Sequence, residues 1–273
     1  MKILLLPDLK GWAFANIAKA IQKFGTHDYD IEYEHQFRKE RAKELPKEKI
    51  DFDKYDVIVA FAPWMVWSNL PKEKTICICH EDFEMDHWNI NGYKKVFVTT
   101  DISLEYIKSK TRAVKVQAGY DSSIFNHSYI CKALSKPLRI GWVGAWSGHV
   151  NKKGYEQYYL PLGKWFDLRP HLKEKHYVKE QKDYAKYYQG IDVLLCTSDW
   201  EGYPLPIIEA SACGIPVIST RVGIAPEVLP EDQIVERTVE AFKKRLDTGN
   251  FKVGDVSGWK WEDRIKEWER EFE

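Results

Sequence analysis

Ile191-Asp192-Val193-Leu194-Leu195-Cys196-Thr197-Ser198-Asp199-Trp200-Glu201-Gly202-Tyr203-Pro204-Leu205-Pro206-Ile207-Ile208-Glu209-Ala210 holds a strand, a loop and a helix start in one short span. The run from Ile191 to Thr197 is apolar, β-rich and short, as a strand buried on both faces of a parallel sheet must be. Gly202 and Pro204 then force a loop. Pro206 suits the first turn of a helix, where its missing N–H is not needed. Glu201 therefore falls in the loop past a strand's carboxyl end, and Glu209 about one turn into the following helix. Ligands bind at that end of an open α/β sheet. Two carboxylates converging there, beside helix N–H groups, can hold sugar hydroxyls while the helix end holds phosphate. The plainer alternative is an exposed helix carrying two solvated glutamates.

Outward from this stretch, strands and helices alternate, which predicts a parallel sheet with crossover helices. Strands are expected over residues 2–6, 29–37, 55–60, 75–79 and 93–99, and helices over 12–24 and 103–110, the latter capped by Asp101 or Ser103. Residues 38–49 are so charged that they read as a solvated helix or loop. Residues 126–137 form a polar stretch with a proline exit, a linker. The expected domains are 1–130 and 137–258. Trp261, Ile265, Trp268 and Phe272 recur at helical spacing, so residues 259–273 make a terminal amphipathic helix whose stripe must be buried. The 273 residues carry 41 basic and 41 acidic side chains, so no global field draws the chain to nucleic acid or membrane. The apolar run after Met1 is too short for a signal peptide or a membrane span. Five scattered cysteines fit reduced thiols in a cytoplasmic protein. Alternation turns Cys77 and Cys79 to one strand face and His80 to the other, against a metal site.

The central stretch, with Gly214-Ile215-Pro216-Val217 behind it, resembles the E-x7-E signature of retaining glycosyltransferases of the GT-B fold, above all family 4. Gly119-Tyr120-Asp121-Ser122-Ser123-Ile124-Phe125 is similar to the segment that closes the N-terminal domain in that family. Leu138 to Gly144 resembles the first strand of its second domain, and Lys153-Gly154 the end of its phosphate loop. Ala145 stands where the family carries an arginine, a place that Lys152, His149 or an arginine from elsewhere would have to fill. Between Gly154 and His176 the chain has too few residues for the usual helix, strand and helix, so a shortened second domain is expected. Gly223-Ile224-Ala225-Pro226-Glu227-Val228 is similar to a later loop and helix of the family.

The resemblance implies an α/β protein of two Rossmann-like domains facing a cleft, with the C-terminal helix crossing back to the N-terminal domain. It implies a sugar donor linked to a nucleoside diphosphate, uridine or guanosine, and no metal or other cofactor. Lys153 would take the diphosphate, Glu209 the ribose hydroxyls and Glu201 a hydroxyl of the sugar. Amides of Gly202, Tyr203, Pro204 and Leu205 would assist, Gly144 would open the phosphate loop, and backbone near Val178 would meet the base. His80 would touch the sugar near the reacting carbon, and Gly11 would let acceptor or phosphate approach the backbone. Trp12, Trp64 and Trp67 fall near N-domain loops, where they stack on sugar or base or simply pack. The acceptor stays open: a saccharide, a lipid-linked group or a modified DNA base. A non-catalytic nucleotide-sugar-binding module and a GT-B sugar-nucleotide epimerase are the alternatives.

Overall fold

The computed structural model describes residues 1–8, 10–33, 50–63, 70–80, 90–108, 110–126, 133–144, 150–172 and 181–273. They form two compact units, one of Met1–Gly119 with Trp261–Glu273, the other of Tyr120–Lys260.

The first unit is built on a parallel sheet of β1 (Lys2–Leu6), β2 (Asp28–Ile31), β3 (Val57–Ala60), β4 (Thr75–Cys79), β5 (Lys95–Val98) and β6 (Ala113–Lys115), in the order β2-β1-β3-β4-β5-β6. Every residue of β3 and β4 is buried. That explains why both read as unbroken apolar runs rather than alternating ones. Cys77 and Cys79 pack with Ile90, Val96, Val98 and Ile107. Helix α1 (Ala13–Phe24) buries Ala15, Ile17, Ala18, Ala20 and Ile21 and stops at Gly25. A Cβ at Gly25 would come within 2.7 Å of the Ile21 carbonyl, so only glycine closes the helix there. Helix α2 (Asp101–Ile107) is capped by neither Asp101 nor Ser103: Thr100 accepts a hydrogen bond from the Ser103 N–H at 3.1 Å. The expected strand at 29–37 is described only as β2, ending at Ile31.

The C-terminal helix, α8 (Trp261–Phe272), belongs to this first unit. Trp261, Ile265, Trp268 and Phe272 are all buried. The Trp268 indole N–H donates to the Gln117 carbonyl at 3.0 Å, and its ring meets Phe97 edge-on at 5.8 Å. Glu269 accepts from the Thr26 hydroxyl at 3.0 Å and the Tyr29 hydroxyl at 2.8 Å.

In the second unit β7 (Arg139–Gly144), β8 (Asp167–Leu172), β9 (Val193–Cys196) and β10 (Val217–Ser219) form a parallel sheet ordered β10-β9-β7-β8. Helices α3 (Val150–Lys153), α4 (Gln181–Gln189), α5 (Leu205–Ala212), α6 (Ala225–Val228) and α7 (Val239–Asp247) accompany it. Strand β8 lies in the span after Gly154 that was expected to hold too few residues for a helix, a strand and a helix. One π turn (Tyr155–Tyr159) and one 3-10 turn (Leu160–Lys164) replace a full helix, which leaves room for it. Pro170 hid this strand from the sequence, yet proline is tolerated because β8 lies at the sheet edge. The division between units falls at Gly119. Tyr120 donates its N–H to the Trp259 carbonyl at 2.9 Å, and Phe125 packs 6.3 Å from Tyr188. The segment 120–125 thus belongs to the second core. At the amino ends of β7 and β9 Arg139 pairs with Asp192 at 2.7 Å, pinning the two strands together.

Candidate functional site

In the second sheet the chain leaves β7 toward β8 on one side and leaves β9 toward β10 on the other. The carboxyl ends of β7 and β9 therefore flank a topological switch point, where an open α/β sheet leaves a crevice. The turn after α3 and the loop after β9 meet there. Thr197, just past β9, donates its hydroxyl to the Lys153 carbonyl at 2.7 Å and accepts from the Trp142 indole at 3.1 Å. Gly154 has φ +70°, and a Cβ on it would lie 2.5 Å from the Thr197 carbonyl. Both conformation and approach demand glycine at that position.

That contact places Lys153 beside Glu201. The Lys153 ammonium donates to Glu201 Oε1, and the Ser198 hydroxyl donates to the same oxygen at 2.6 Å. The Glu201 side chain is only 14% exposed. Burial pushes its carboxyl up, but the charge and hydrogen bond of Lys153 and the bond from Ser198 outweigh this and hold it below the usual value. The group stays a carboxylate.

Glu209 sits differently, at the fifth residue of α5, a helix opened by Leu205 and Pro206. It is 7% exposed, and its Oε2 accepts from the Tyr188 hydroxyl of α4 at 2.8 Å. Burial first, then the charge of Glu209, pushes the Tyr188 phenol well above its ordinary value, so it remains a neutral donor. Between the two glutamates, Gly202, Tyr203, Pro204 and Leu205 run as expected into the helix. Of these, Pro204 has no N–H to offer a ligand. A Cβ on Gly223, at φ +50°, would come within 2.6 Å of the Gly202 carbonyl, so the later loop packs directly under this one. Gly144 serves packing: a Cβ there would meet the Trp142 ring at 2.4 Å. The Lys152 ammonium lies 3.1 Å from the centre of the Trp200 ring.

In the first unit His80 closes β4 and is 5% exposed. Its ring stacks on Phe14 at 4.5 Å, and its Nε2–H donates to the Phe61 carbonyl at 3.0 Å. Burial, only partly opposed by that hydrogen bond, takes its pKa down to about 4, so the imidazole is neutral at physiological pH. Gly11 adopts φ +86° with open space where a Cβ would stand, so conformation alone requires glycine. Trp12 beside it is 45% exposed. Val178, Ala145, His149, Trp64, Trp67 and residues 38–49 lie outside the described residues. Ser198 and Tyr188 carry contacts that the sequence did not announce. Ser198 was visible three residues before Glu201, whereas nothing in the sequence ties Tyr188 to Glu209.

Residues 129–248 match the model of the family described as Glycosyl transferases group 1. Over 76 residues, 27% of this chain and 16% of the relative, the sequence is 38% identical to a component of the phosphatidylinositol N-acetylglucosaminyltransferase of Homo sapiens. Over 83 residues, 30% of this chain and 18% of the relative, it is 40% identical to N-acetyl-alpha-D-glucosaminyl L-malate synthase of Bacillus anthracis. The chain spans less than one fifth of the length of the curated relatives it matches. Among solved structures it is similar to sucrose-phosphate synthase from Thermosynechococcus elongatus, at 15% identity and a TM-score of 0.64 over 99% of this chain and 96% of that one. It is also similar to WaaG, a glycosyltransferase involved in lipopolysaccharide biosynthesis, at 13% identity and a TM-score of 0.56 over 98% and 95%. At such identities the likeness is one of fold, and the fold is GT-B. Among the described residues no helix is long and apolar enough to cross a membrane.

Proposed function

We propose that the chain transfers a sugar from a nucleoside-diphosphate donor to an acceptor with retention of anomeric configuration, as the Glu-x7-Glu resemblance to family 4 implies. The observation that carries this reading is the meeting of Lys153, Ser198 and Glu201 at the switch point, with Glu209 buried one turn into the next helix. A cation beside a carboxylate suits a ligand that presents phosphate next to hydroxyls.

Lys153 takes the diphosphate, Glu209 the ribose hydroxyls and Glu201 a hydroxyl of the transferred sugar. The N–H groups of Gly202, Tyr203 and Leu205 serve the same ligand, and backbone near Val178 meets the base. The bond between the anomeric carbon and the β-phosphate oxygen breaks, and its electron pair leaves on the diphosphate. The acceptor oxygen attacks the same face and gives its proton to a diphosphate oxygen. Stabilising the departing charge is worth ~10²–10³ in rate per preorganised donor. Lys153 and backbone N–H groups carry that charge without a divalent ion, so EDTA should leave transfer unchanged. Loss of activity on chelation, restored by Mg²⁺ or Mn²⁺, would refute the phosphate assignment. Neutral His80 offers a hydrogen bond rather than a charge. The free thiols of Cys77, Cys79, Cys196 and Cys213 fit a cytoplasmic setting.

The test is a thermal-shift screen of uridine, guanosine and adenosine diphosphates, followed by release of free nucleotide from their sugars with and without acceptors. Two of the relatives carry N-acetylglucosaminyl in their names, which puts N-acetylglucosamine first among the sugars to assay. Nucleotide release that depends on an acceptor supports transfer. Binding without any release leaves a non-catalytic module.

A further inference from the structure

Arg237 lies outside every stretch that marks the nucleotide-sugar site, between the end of the second sheet and α7. Its side chain is 22% exposed, yet its guanidinium reaches into the junction that carries Lys153. Nε donates to the Thr197 carbonyl at 3.0 Å, and Nη2 donates to the Lys152 carbonyl at 3.0 Å. Nη1 stands 3.6 Å from a carboxylate oxygen of Asp199, and the guanidinium carbon lies 4.6 Å from the centre of the Tyr158 ring. The Asp199 N–H donates to the same Lys152 carbonyl at 2.8 Å. One planar cation thus joins the end of α3 to the loop past β9. The Lys152 carbonyl lies in the last turn of α3, where the helix supplies no N–H of its own, and Arg237 and the Asp199 N–H share it.

Resting on the proposed donor site, we infer that Arg237 is a positioning residue that fixes the Lys152–Gly154 turn so that the Lys153 ammonium is held over the switch point. Lysine carries its charge on a long flexible stem, so that charge is only as well placed as its backbone. Arg237 sets that backbone by gripping the residue before Lys153 and the residue that bonds the Lys153 carbonyl. This is not the work of the arginine absent at Ala145, because the fork of Arg237 is turned onto main-chain carbonyls and Asp199. A lysine at 237 could not reproduce it, since an ammonium is a point charge without a planar fork.

Calorimetric titration with UDP and with GDP tests this on the wild type, Lys153→Ala, Arg237→Ala, Arg237→Lys and the double variant Lys153→Ala/Arg237→Ala, each checked by its melting temperature. Arg237→Ala and Arg237→Lys should each weaken the diphosphate about tenfold, a difference of about 1.4 kcal/mol. In the Lys153→Ala background Arg237→Ala should cost nothing more, because the residue acts through Lys153. Three outcomes overturn the inference: additive losses in the double variant, recovery of affinity in Arg237→Lys, or wild-type affinity in an Arg237→Ala protein that merely melts earlier. The first two would mean that Arg237 meets the diphosphate itself. Failure of the underlying reading looks different. Neither diphosphate would then bind the wild type, or Lys153→Ala would bind as the wild type does, and the role of Arg237 falls with it.

Discussion

Glu201 and His80 stand at equivalent places in two different sheets, each just past the carboxyl end of a buried parallel strand, and burial has opposite outcomes for them. Both are largely shielded from water, at 14% of the side chain and 5% of the residue. Glu201 keeps its charge because an ammonium and a hydroxyl converge on one of its oxygens. His80 gives its charge up because burial outweighs the hydrogen bond to the Phe61 carbonyl. Desolvation acts on both alike, and a counter-charge within reach decides which wins. The second unit therefore holds a charged corner suited to an anion and hydroxyls. The first offers a neutral ring.

Removing the counter-charge should break the contrast most severely. In Lys153→Ala, transfer from a nucleoside-diphosphate sugar should fall by ~10²–10³. Burial would then be opposed only by the Ser198 hydrogen bond and the charge of Lys152, so the Glu201 carboxyl should rise from its depressed position. A ¹³C titration of the side-chain carboxyl reads this directly. In the wild type the depressed carboxyl contributes stability that is fully present above about pH 4.5 and is lost as pH falls through the lower folded value. A Glu201 that still titrates low without Lys153 would mean that another group sets its charge.

His80 gives the converse experiment. Its pKa falls from 6.5 unfolded to about 4 folded, so the unfolded chain binds the proton first. Stability should rise with pH between those values, by on the order of 3 kcal/mol from this one group. Denaturant unfolding across that window, compared with His80→Phe, isolates the contribution, because the phenyl ring keeps the stack on Phe14 but cannot titrate. The same slope in both proteins would show that His80 takes up protons in the folded state. The pH profile of transfer should likewise show no step near 6.5 that disappears in this variant.

The two glutamates of the second unit sharpen the comparison at smaller amplitude. Glu209→Ala should weaken a free nucleoside diphosphate by ~1.5–3 kcal/mol, the worth of hydrogen bonds to a charged group. Glu201→Ala should not weaken it, since without ligand Glu201 occupies the very ammonium that the diphosphate needs. It should instead lower turnover of the sugar nucleotide. Equal losses of affinity in both variants would point to collapse of the shared loop.

How much of this was legible in the chain differs with the kind of interaction. The strands β1, β3, β4 and β9 were readable because burial on both faces leaves a local, unbroken apolar run, and the terminal helix because its buried stripe recurs at helical spacing. The loop from Glu201 to Leu205 was readable because Gly202, Pro204 and Pro206 each admit few backbone conformations. Strand β8 was not, since an edge strand tolerates the proline and charges that argue against it. Nor was the Thr100 cap, where Thr100, Asp101 and Ser103 could each have capped and only geometry chooses. The pairing of Lys153 with Glu201 and the clasp of Arg237 on Lys152 and Thr197 join residues 40 or more apart in the chain. Nothing local records such contacts. His80 is the instructive case: its place was visible, but its neutrality depends on Phe14 and Phe61, which the sequence does not show to be its neighbours.

Glu209 lies between the two extremes, a buried carboxylate that accepts a hydrogen bond from a neutral phenol, and Tyr188→Phe tests that middle ground. Phenylalanine fills the same space, so no cavity opens, and the change removes one hydroxyl that itself resists burial. Because the bond lost is one to a buried charge, unfolding free energy should still fall by about 1.5–3 kcal/mol. If Tyr188 merely completes a core hydrogen bond, nucleoside-diphosphate affinity should be unmoved. If it aims the Glu209 carboxylate at the ribose, affinity should drop, though by less than in Glu209→Ala, because the carboxylate is still present. Calorimetry with the diphosphate beside denaturant unfolding separates the two. A Tyr188→Phe protein as weak as Glu209→Ala would show that this neutral donor governs its carboxylate as fully as Lys153 governs Glu201, and the difference between charged and neutral partners would no longer explain the two corners.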